Sequence, residues 1–261
     1  MSDIKLQILN KNGVVLKEVC GDDEANLVYL EEYQEGDKIV LDVEKQNEFY
    51  NIQFDDAKGK SLVYVTGKVE YLIPFGEKRI NISPKVFSGC RHVITVKKAF
   101  EEEVKNYRNL SENVWDQHGN VNCYPHASAN VETRGESVFA ALNAIDGVTV
   151  SESHGDWPYE SWGINRRDDA EWKLEFGRPV EMDKLIIYTR ADFPHDNWWE
   201  KATVTFSDGT KEILELKKGG EAQIFSIHKT NIEWLKLSDL IKADDPSPFP
   251  ALTQLQVYGR G

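Results

Sequence analysis

Short runs of alternating apolar and polar residues recur along the first hundred positions of the chain. Alternation with a period of two is typical of strands that bury one face. The clearest runs are residues 39–43, 50–54, 69–73 and 93–96. Turn signals rich in Gly, Asp and Glu separate them. The pattern therefore predicts a small antiparallel β-sandwich over residues 1–97.

A helical pattern follows in residues 97–109. Its apolar residues Phe100, Val104 and Tyr107 recur at spacings of three and four, and three glutamates lie near its start. We interpret residues 98–110 as a helical linker between two domains. The alternative is that this helix packs as the last element of the first domain.

The second half of the chain returns to the strand pattern. Its candidate strands are residues 171–176, 185–188, 202–206, 211–216, 222–226, 233–237 and 254–258. Residues 132–145 predict a short helix or helical turn. Asp208-Gly209 predicts a hairpin turn, because glycine adopts a positive φ readily. The predicted fold class is all-β, with two β-sandwich domains, and the second domain (111–261) is a jelly roll.

The charge of the chain limits its partners. Its 261 residues include 44 Asp and Glu against 31 Lys and Arg, a formal net charge of −13. A nucleic acid or an anionic membrane surface requires clustered basic residues. We therefore expect no nucleic-acid partner and no membrane partner. The charge of the whole chain favours a neutral or cationic ligand.

Cysteine usage and the first residues bear on the compartment. Cys20, Cys90 and Cys123 are far apart and odd in number, which predicts reduced structural thiols rather than a disulfide framework. The first residues carry neither a basic segment nor an apolar run of the kind that a secretory signal contains. We expect a cytoplasmic protein, and the sequence leaves an exported form open.

Five segments between Cys123 and Gly259 occur in the order found in one domain family. They are residues 127–129, 143–147, 171–177, 185–188 and 255–259. In this order and spacing, the C-terminal half resembles the coagulation factor 5/8 type C, or discoidin-like, domain. That group includes many bacterial carbohydrate-binding modules. The resemblance implies a galactose-binding-like jelly roll that recognises a sugar through loops at one end.

Two loops, residues 154–167 and 190–199, are rich in aromatic and planar polar residues. An exposed ring can stack on the C–H face of a pyranose, while planar polar groups hydrogen-bond its hydroxyls. By resemblance to the sugar-binding members, we assign hydroxyl partners and stacking platforms on these loops and on a Pro-rich segment near the C-terminus. The candidate ligand-binding residues are Arg190, His195, Asn197, Trp198, Asp192, Arg166, Trp157 and Phe249.

A structural interpretation of the same residues stays open. Tryptophan is usually mostly buried in β-sandwiches. We therefore expect four tryptophans in the core: Trp162, Trp172, Trp199 and Trp234. The 190–196 segment would then contain an Arg–Asp ion pair that holds a long loop in place.

The resemblance also implies a structural calcium ion near the Asp146-Gly147 step, because related domains often hold one there. Asp146 matches that position, and Asn143 can contribute its carbonyl oxygen, a hard ligand of the kind that calcium prefers. Gln254 departs from the pattern, because a Glu is often found there and a negative ligand is lost. The Asp-Gly step is equally compatible with a simple turn.

No enzyme signature occurs in the chain. It contains neither GxSxG nor HExxH, and no phosphate-binding glycine loop or dinucleotide fingerprint. The sequence therefore predicts a non-catalytic carbohydrate-binding protein with two domains. One alternative is a protein–protein interaction module, and another is a glycan-acting hydrolase or lyase that uses the same loops.

Overall fold

The computed structural model describes residues 3–152, 155–190 and 197–261 of the chain. Strands make up most of its regular structure, which confirms the predicted all-β fold class. The strands of the first half are β1 (Ile4–Leu9), β2 (Val15–Gly21), β3 (Glu24–Tyr29), β4 (Lys38–Val43), β5 (Glu48–Gln53), β6 (Ser61–Val65), β7 (Val69–Leu72) and β8 (His92–Lys98).

The second half contains both the longest and the shortest strands of the structure. They are β9 (Arg108–Asn109), β10 (Cys123–Tyr124), β11 (His126–Ala129), β12 (Trp162–Gly163), β13 (Trp172–Thr189), β14 (Trp199–Phe206), β15 (Lys211–Glu215), β16 (Gln223–Lys242) and β17 (Ala251–Arg260). The helices are α1 (Glu101–Lys105) and the 3-10 helices Gly76–Arg79, Thr133–Gly135, Ser137–Phe139 and Ala141–Ile145. None of the helices in the described residues has the length and apolar character that a membrane crossing requires.

The first half is a two-sheet sandwich. Its sheets have the strand orders β2-β1-β4-β7 and β10-β6-β5-β8-β3. Burial alternates along β1, where Ile4, Leu6 and Ile8 are fully buried and the residues between them are partly exposed. Because side chains alternate between the faces of a strand, each sheet has one apolar face. The apolar faces of the two sheets pack together and form one core.

The first core also takes in residues beyond position 110. Val114, Trp115 and Cys123 pack in the same cluster as the first-half strands. The Val114 amide donates to Ser61 Oγ at 2.9 Å, and Trp115 Nε1 donates to the Gly59 carbonyl at 2.9 Å. A segment that the sequence assigned to the second domain thus completes the core of the first half. The predicted domain boundaries themselves stay a prediction.

The predicted helix over residues 98–110 is much shorter in the structure. Only the five residues of α1 are helical, and β9 then pairs with β17. Tyr107 lies beyond the helix, where its ring is 6.0 Å from that of Tyr258 and its hydroxyl donates to Asp183 Oδ1 at 2.6 Å. Packing against the second half therefore overrides the helical periodicity.

The second half is built on one antiparallel sheet with the order β12-β17-β13-β16-β14-β15. Register shifts near residues 175–184 divide the central strand β13 into two parts with different neighbours. Its first part lies between β11 and β16, and its second part lies between β16 and β17. The enclosed core contains Trp162, Trp172 and Trp199 as predicted, whereas Trp234 is only partly buried.

We predict that Gly177→Ala destabilises the chain more than Gly209→Ala does. Both glycines have a left-handed φ, at +69° and +81°, so each substitution costs about 1 kcal/mol of backbone strain. A Cβ at Gly177 would also collide with the ring of Tyr124, whereas one at Gly209 would meet open space. Overpacking adds about 1–3 kcal/mol. Urea unfolding of both variants measures the difference, and equal losses would contradict this contact.

Candidate functional site

A cleft of about 190 Å³ opens beside the end of β13 and the start of β17. Its lining comes from four parts of the chain that are distant in sequence: residues 133–139, 159–166, 190 and 249–251. The wall contains the rings of Phe139, Tyr159 and Phe249 and the guanidinium groups of Arg134, Arg166 and Arg190.

Strand pairing brings these parts together. Gly163 of β12 is opposite Ala251 of β17, and the Arg190 amide donates to the Ala251 carbonyl at 3.0 Å. Gly163 also lets the loop at residue 133 approach closely, since an added Cβ would lie 2.7 Å from Thr133 Oγ1. The strand ends therefore fix the backbone around the cleft, and this backbone positions the side chains that line it.

Arg190 is buried beneath the cleft, with 4% of its surface exposed. Its guanidinium carbon lies 5.0 Å from the centre of the Tyr159 ring and 5.8 Å from that of Phe139. Its Nη2 donates to the Phe249 carbonyl at 3.5 Å. Arg190 thus ties the aromatic floor of the cleft to the Pro-rich segment before β17.

Arg166 is exposed at the rim, with its guanidinium carbon 4.6 Å from the centre of the Phe249 ring. It lies in a tight turn closed by a hydrogen bond of 2.9 Å from the Arg167 amide to the Ile164 carbonyl. Both central residues of the turn are left-handed, Asn165 with φ +49° and Arg166 with φ +62°. This φ pattern belongs to the type I′ turn, where Asn-Gly is the preferred pair.

Arg134 is the third arginine of the wall, and its charge is balanced locally. Its Nε and Nη2 donate to the two carboxylate oxygens of Glu136 at 2.5 and 2.7 Å. This bidentate contact lowers the pKa of Glu136 and raises that of Arg134. Arg134 also lies 5.5 Å from the centre of the Phe139 ring.

The structure brings Arg190, Arg166 and Phe249 together and places the other described candidates elsewhere. Asn197 is buried; its Nδ2 donates to the Ser247 carbonyl and its Oδ1 accepts from the Trp198 amide at 2.7 Å. The Trp198 ring is not part of the cleft lining and faces Lys218, whose Nζ is 5.1 Å from the ring centre.

Trp157, another predicted stacking platform, lines a different cavity of about 320 Å³ between the two halves of the chain. His195 and Asp192 lie outside the described residues. The sequence interpretation missed Thr133, Arg134, Phe139 and Tyr159. Tyr159 belongs to a loop that the aromatic content had singled out, whereas the other three lie in a segment whose only signal was helical.

The predicted calcium ligands are engaged with a side-chain amide. Gln254 Nε2 donates to the Asn143 carbonyl and to Asp146 Oδ1, both at 2.6 Å. Gln254 Oε1 accepts from the Gly147 amide at 3.2 Å, which fixes the orientation of the amide group. Burial, followed by the charge of Glu160, raises the pKa of Asp146 well above its usual range.

These contacts do not fit a calcium ion at Asp146 and Asn143. A cation would face an N–H donor, where calcium requires oxygen ligands. Within the residues that the structure describes, no group of three or more His, Cys, Asp or Glu side chains is arranged to hold a metal ion.

A family model described as a domain of unknown function (DUF7402) matches residues 121–243, which is less than half of the chain. No curated protein matches the chain. The family match falls on the half that carries the cleft.

The similar solved structures include sugar-binding modules. The lectin domain of lectinolysin, complexed with Lewis B antigen, has 15% identity and a TM-score of 0.42, over 59% of this chain and 98% of that one. A fucose binding module of Streptococcus pneumoniae has 11% identity and a TM-score of 0.42, over 59% and 96%. The family 32 module of NanJ from C. perfringens, in complex with galactose, has 17% identity and a TM-score of 0.38, over 51% and 91%. These modules are of the kind that the sequence resemblance named.

We predict that calcium leaves the melting temperature of the chain unchanged relative to EDTA, because the Gln254 amide already satisfies both oxygens. Gln254→Glu removes the donor and adds a buried carboxylate, so this variant should be less stable in EDTA and should recover with calcium. Gln256→Glu, at a half-buried position on the same strand, is the control. Differential scanning calorimetry measures all three, and a calcium-dependent rise in the native chain would contradict the expectation.

Proposed function

We propose that this chain binds carbohydrate in the cleft beside β13 and β17 and does not transform it. The observation that carries this function is the meeting of aromatic rings with planar guanidinium groups around one small opening. Rings can pack on the C–H face of a sugar, and planar donors can hydrogen-bond its hydroxyls. Phe249 is the half-buried ring of the set, while Phe139 and Tyr159 form the buried floor.

The size of the cleft suits a small ligand. Sites for drug-sized molecules measure roughly 300–1,000 Å³, whereas this cleft measures about 190 Å³. It therefore fits one sugar ring or the end of a saccharide chain. A site of this size buries little area, so we expect reversible binding of modest affinity.

The composition of the lining favours binding over hydrolysis. A glycosidase generally needs two carboxyl groups that flank the bond to be cleaved. The described lining contains no Asp or Glu. Glu136, close to the lining in sequence, is held in a bidentate contact with Arg134.

The similar modules reported above include one in complex with Lewis B antigen and one in complex with galactose. The ligand proposed for this chain belongs to the same chemical class. With TM-scores below 0.5, those structures give no residue correspondence, and the choice of cleft residues comes from this chain alone.

We predict that Phe249→Ala weakens saccharide binding about fivefold to tenfold, since a stacking ring contributes about 1–1.5 kcal/mol. The test is a glycan array of the labelled full chain, followed by titration calorimetry with the best saccharide. The matched control is Phe100→Ala, an exposed phenylalanine of the first half, which should bind like the native chain. The melting temperatures of both variants should stay close to the native value.

Two results would contradict this function. If no saccharide on the array binds, or if Phe249→Ala binds like the native chain, the cleft is not a sugar site. If new reducing ends or unsaturated products accumulate when the chain is incubated with its saccharide, it acts on glycans as an enzyme.

A further inference from the structure

The described lining of the cleft and the chain as a whole differ in the sign of their charge. The formal net charge of the chain is −13, with acidic residues in excess. Among the described residues, the cleft lining contains three arginines and no acidic side chain. A pocket of the opposite sign to its protein attracts one sign of ligand charge locally.

The three arginines have different surroundings. Arg134 is neutralised by its bidentate contact with Glu136, and Arg190 is buried among aromatic rings. Arg166 is exposed at the rim and forms no ion pair with any carboxylate in the described part of the chain. Arg167, the next residue, is paired with Asp169 and does not line the cleft. Arg166 is therefore the arginine best placed to meet a ligand anion.

The contact between the Arg166 guanidinium and the Phe249 ring suits this task. The guanidinium carbon is 4.6 Å from the ring centre. A stacked guanidinium uses its face, so the N–H groups in its plane stay available to a second partner. Two parallel N–H groups match the two oxygens of a carboxylate, and the same fork binds other oxyanions.

The backbone conformation of Arg166 is less favourable for a residue with a side chain than for glycine. Arg166 occupies the second central position of a turn with the φ pattern of type I′, where glycine is favoured. A left-handed residue with a Cβ costs about 1–2 kcal/mol. The turn is held by a hydrogen bond of 2.9 Å from the Asn165 amide to the buried Thr133 Oγ1. Strain of this kind is a sign of function when the side chain faces a cleft.

We propose that the cleft takes an acidic saccharide and that Arg166 binds the carboxylate or sulfate group of that saccharide. This inference rests on the proposed carbohydrate-binding function. The anion lies against the edge of the guanidinium, and the sugar ring packs on the aromatic side of the cleft. A neutral sugar lacks the anionic group that Arg166 would bind, so the cleft should select acidic saccharides over neutral ones.

The test compares matched ligands that differ only in the anionic group. The full chain is titrated with oligogalacturonate and its methyl ester, an alginate oligosaccharide and its methyl ester, and sulfated and desulfated galactan. We expect at least one acidic member to bind about tenfold or more tightly than its neutral counterpart, the usual effect of a charge-assisted contact. A preference confined to the sulfated pair identifies sulfate, and a preference in either ester pair identifies carboxylate.

Arg166→Gln should bring that ratio of affinities close to one, because the affinity for the acidic member should fall much more than the affinity for the neutral member. Arg166→Lys keeps the charge without the planar fork and should give an intermediate ratio. Arg167→Gln is the matched control and should keep the native ratio. Arg166→Gly removes the strained side chain, so its melting temperature should equal or exceed that of the native chain while the ratio also approaches one.

Several outcomes would overturn the inference. If every neutral member binds as tightly as its acidic counterpart, the cleft is a sugar site that does not read charge, and the proposed function stands without it. If Arg166→Gln weakens both members of a pair equally, or if Arg166→Gly is clearly less stable than the native chain, Arg166 has a structural role. If no saccharide binds at all, the proposed function itself fails.

Discussion

The pairing of β13 with β17 is the constraint on which the candidate site depends. Thr189 is opposite Leu252, and the Arg190 amide donates to the Ala251 carbonyl, so the end of one strand and the start of the other leave the sheet at one place. Pairing of β12 with the same end of β17 brings the turn that carries Arg166 to this point. A shift of one residue in register would turn every side chain to the opposite face. The geometry of the cleft therefore follows from the hydrogen-bonded pairing of β17 with β12 and β13.

Once the backbone is fixed, neighbouring arginines acquire different roles through what surrounds them. Arg190 is surrounded by rings and a carbonyl and supports the floor, whereas Arg134 is matched by Glu136. Arg166 is left at the rim by a turn that would be less strained with glycine. Solvation and local pairing, rather than residue type, decide which positive charge can meet a ligand.

The side-chain amide of Gln254, in the final strand, holds the Asp146 loop in place. Gln254 donates to two oxygens and accepts from one backbone N–H, so its amide group links three points of this loop. The nearby acids are shielded from water, and burial raises the pKa of Glu160 to about 7. The neutral amide gives both oxygens a hydrogen-bond donor inside this buried region.

Local pattern in the sequence determined the all-β class, most strand positions and the burial of Trp162, Trp172 and Trp199. These follow from periodicity and residue type, which act over a few residues. The tertiary structure decided the rest. Separate candidate strands merge into β13 and β16, and the linker helix is shortened. Asn197 and Trp198 lie away from the cleft, whereas Phe139 and Tyr159 line it. The charge of the cleft is the clearest case. The composition of the whole chain favoured a neutral or cationic ligand, but strand pairing between distant segments collected three arginines at one opening, and no local pattern encodes which distant residues become neighbours.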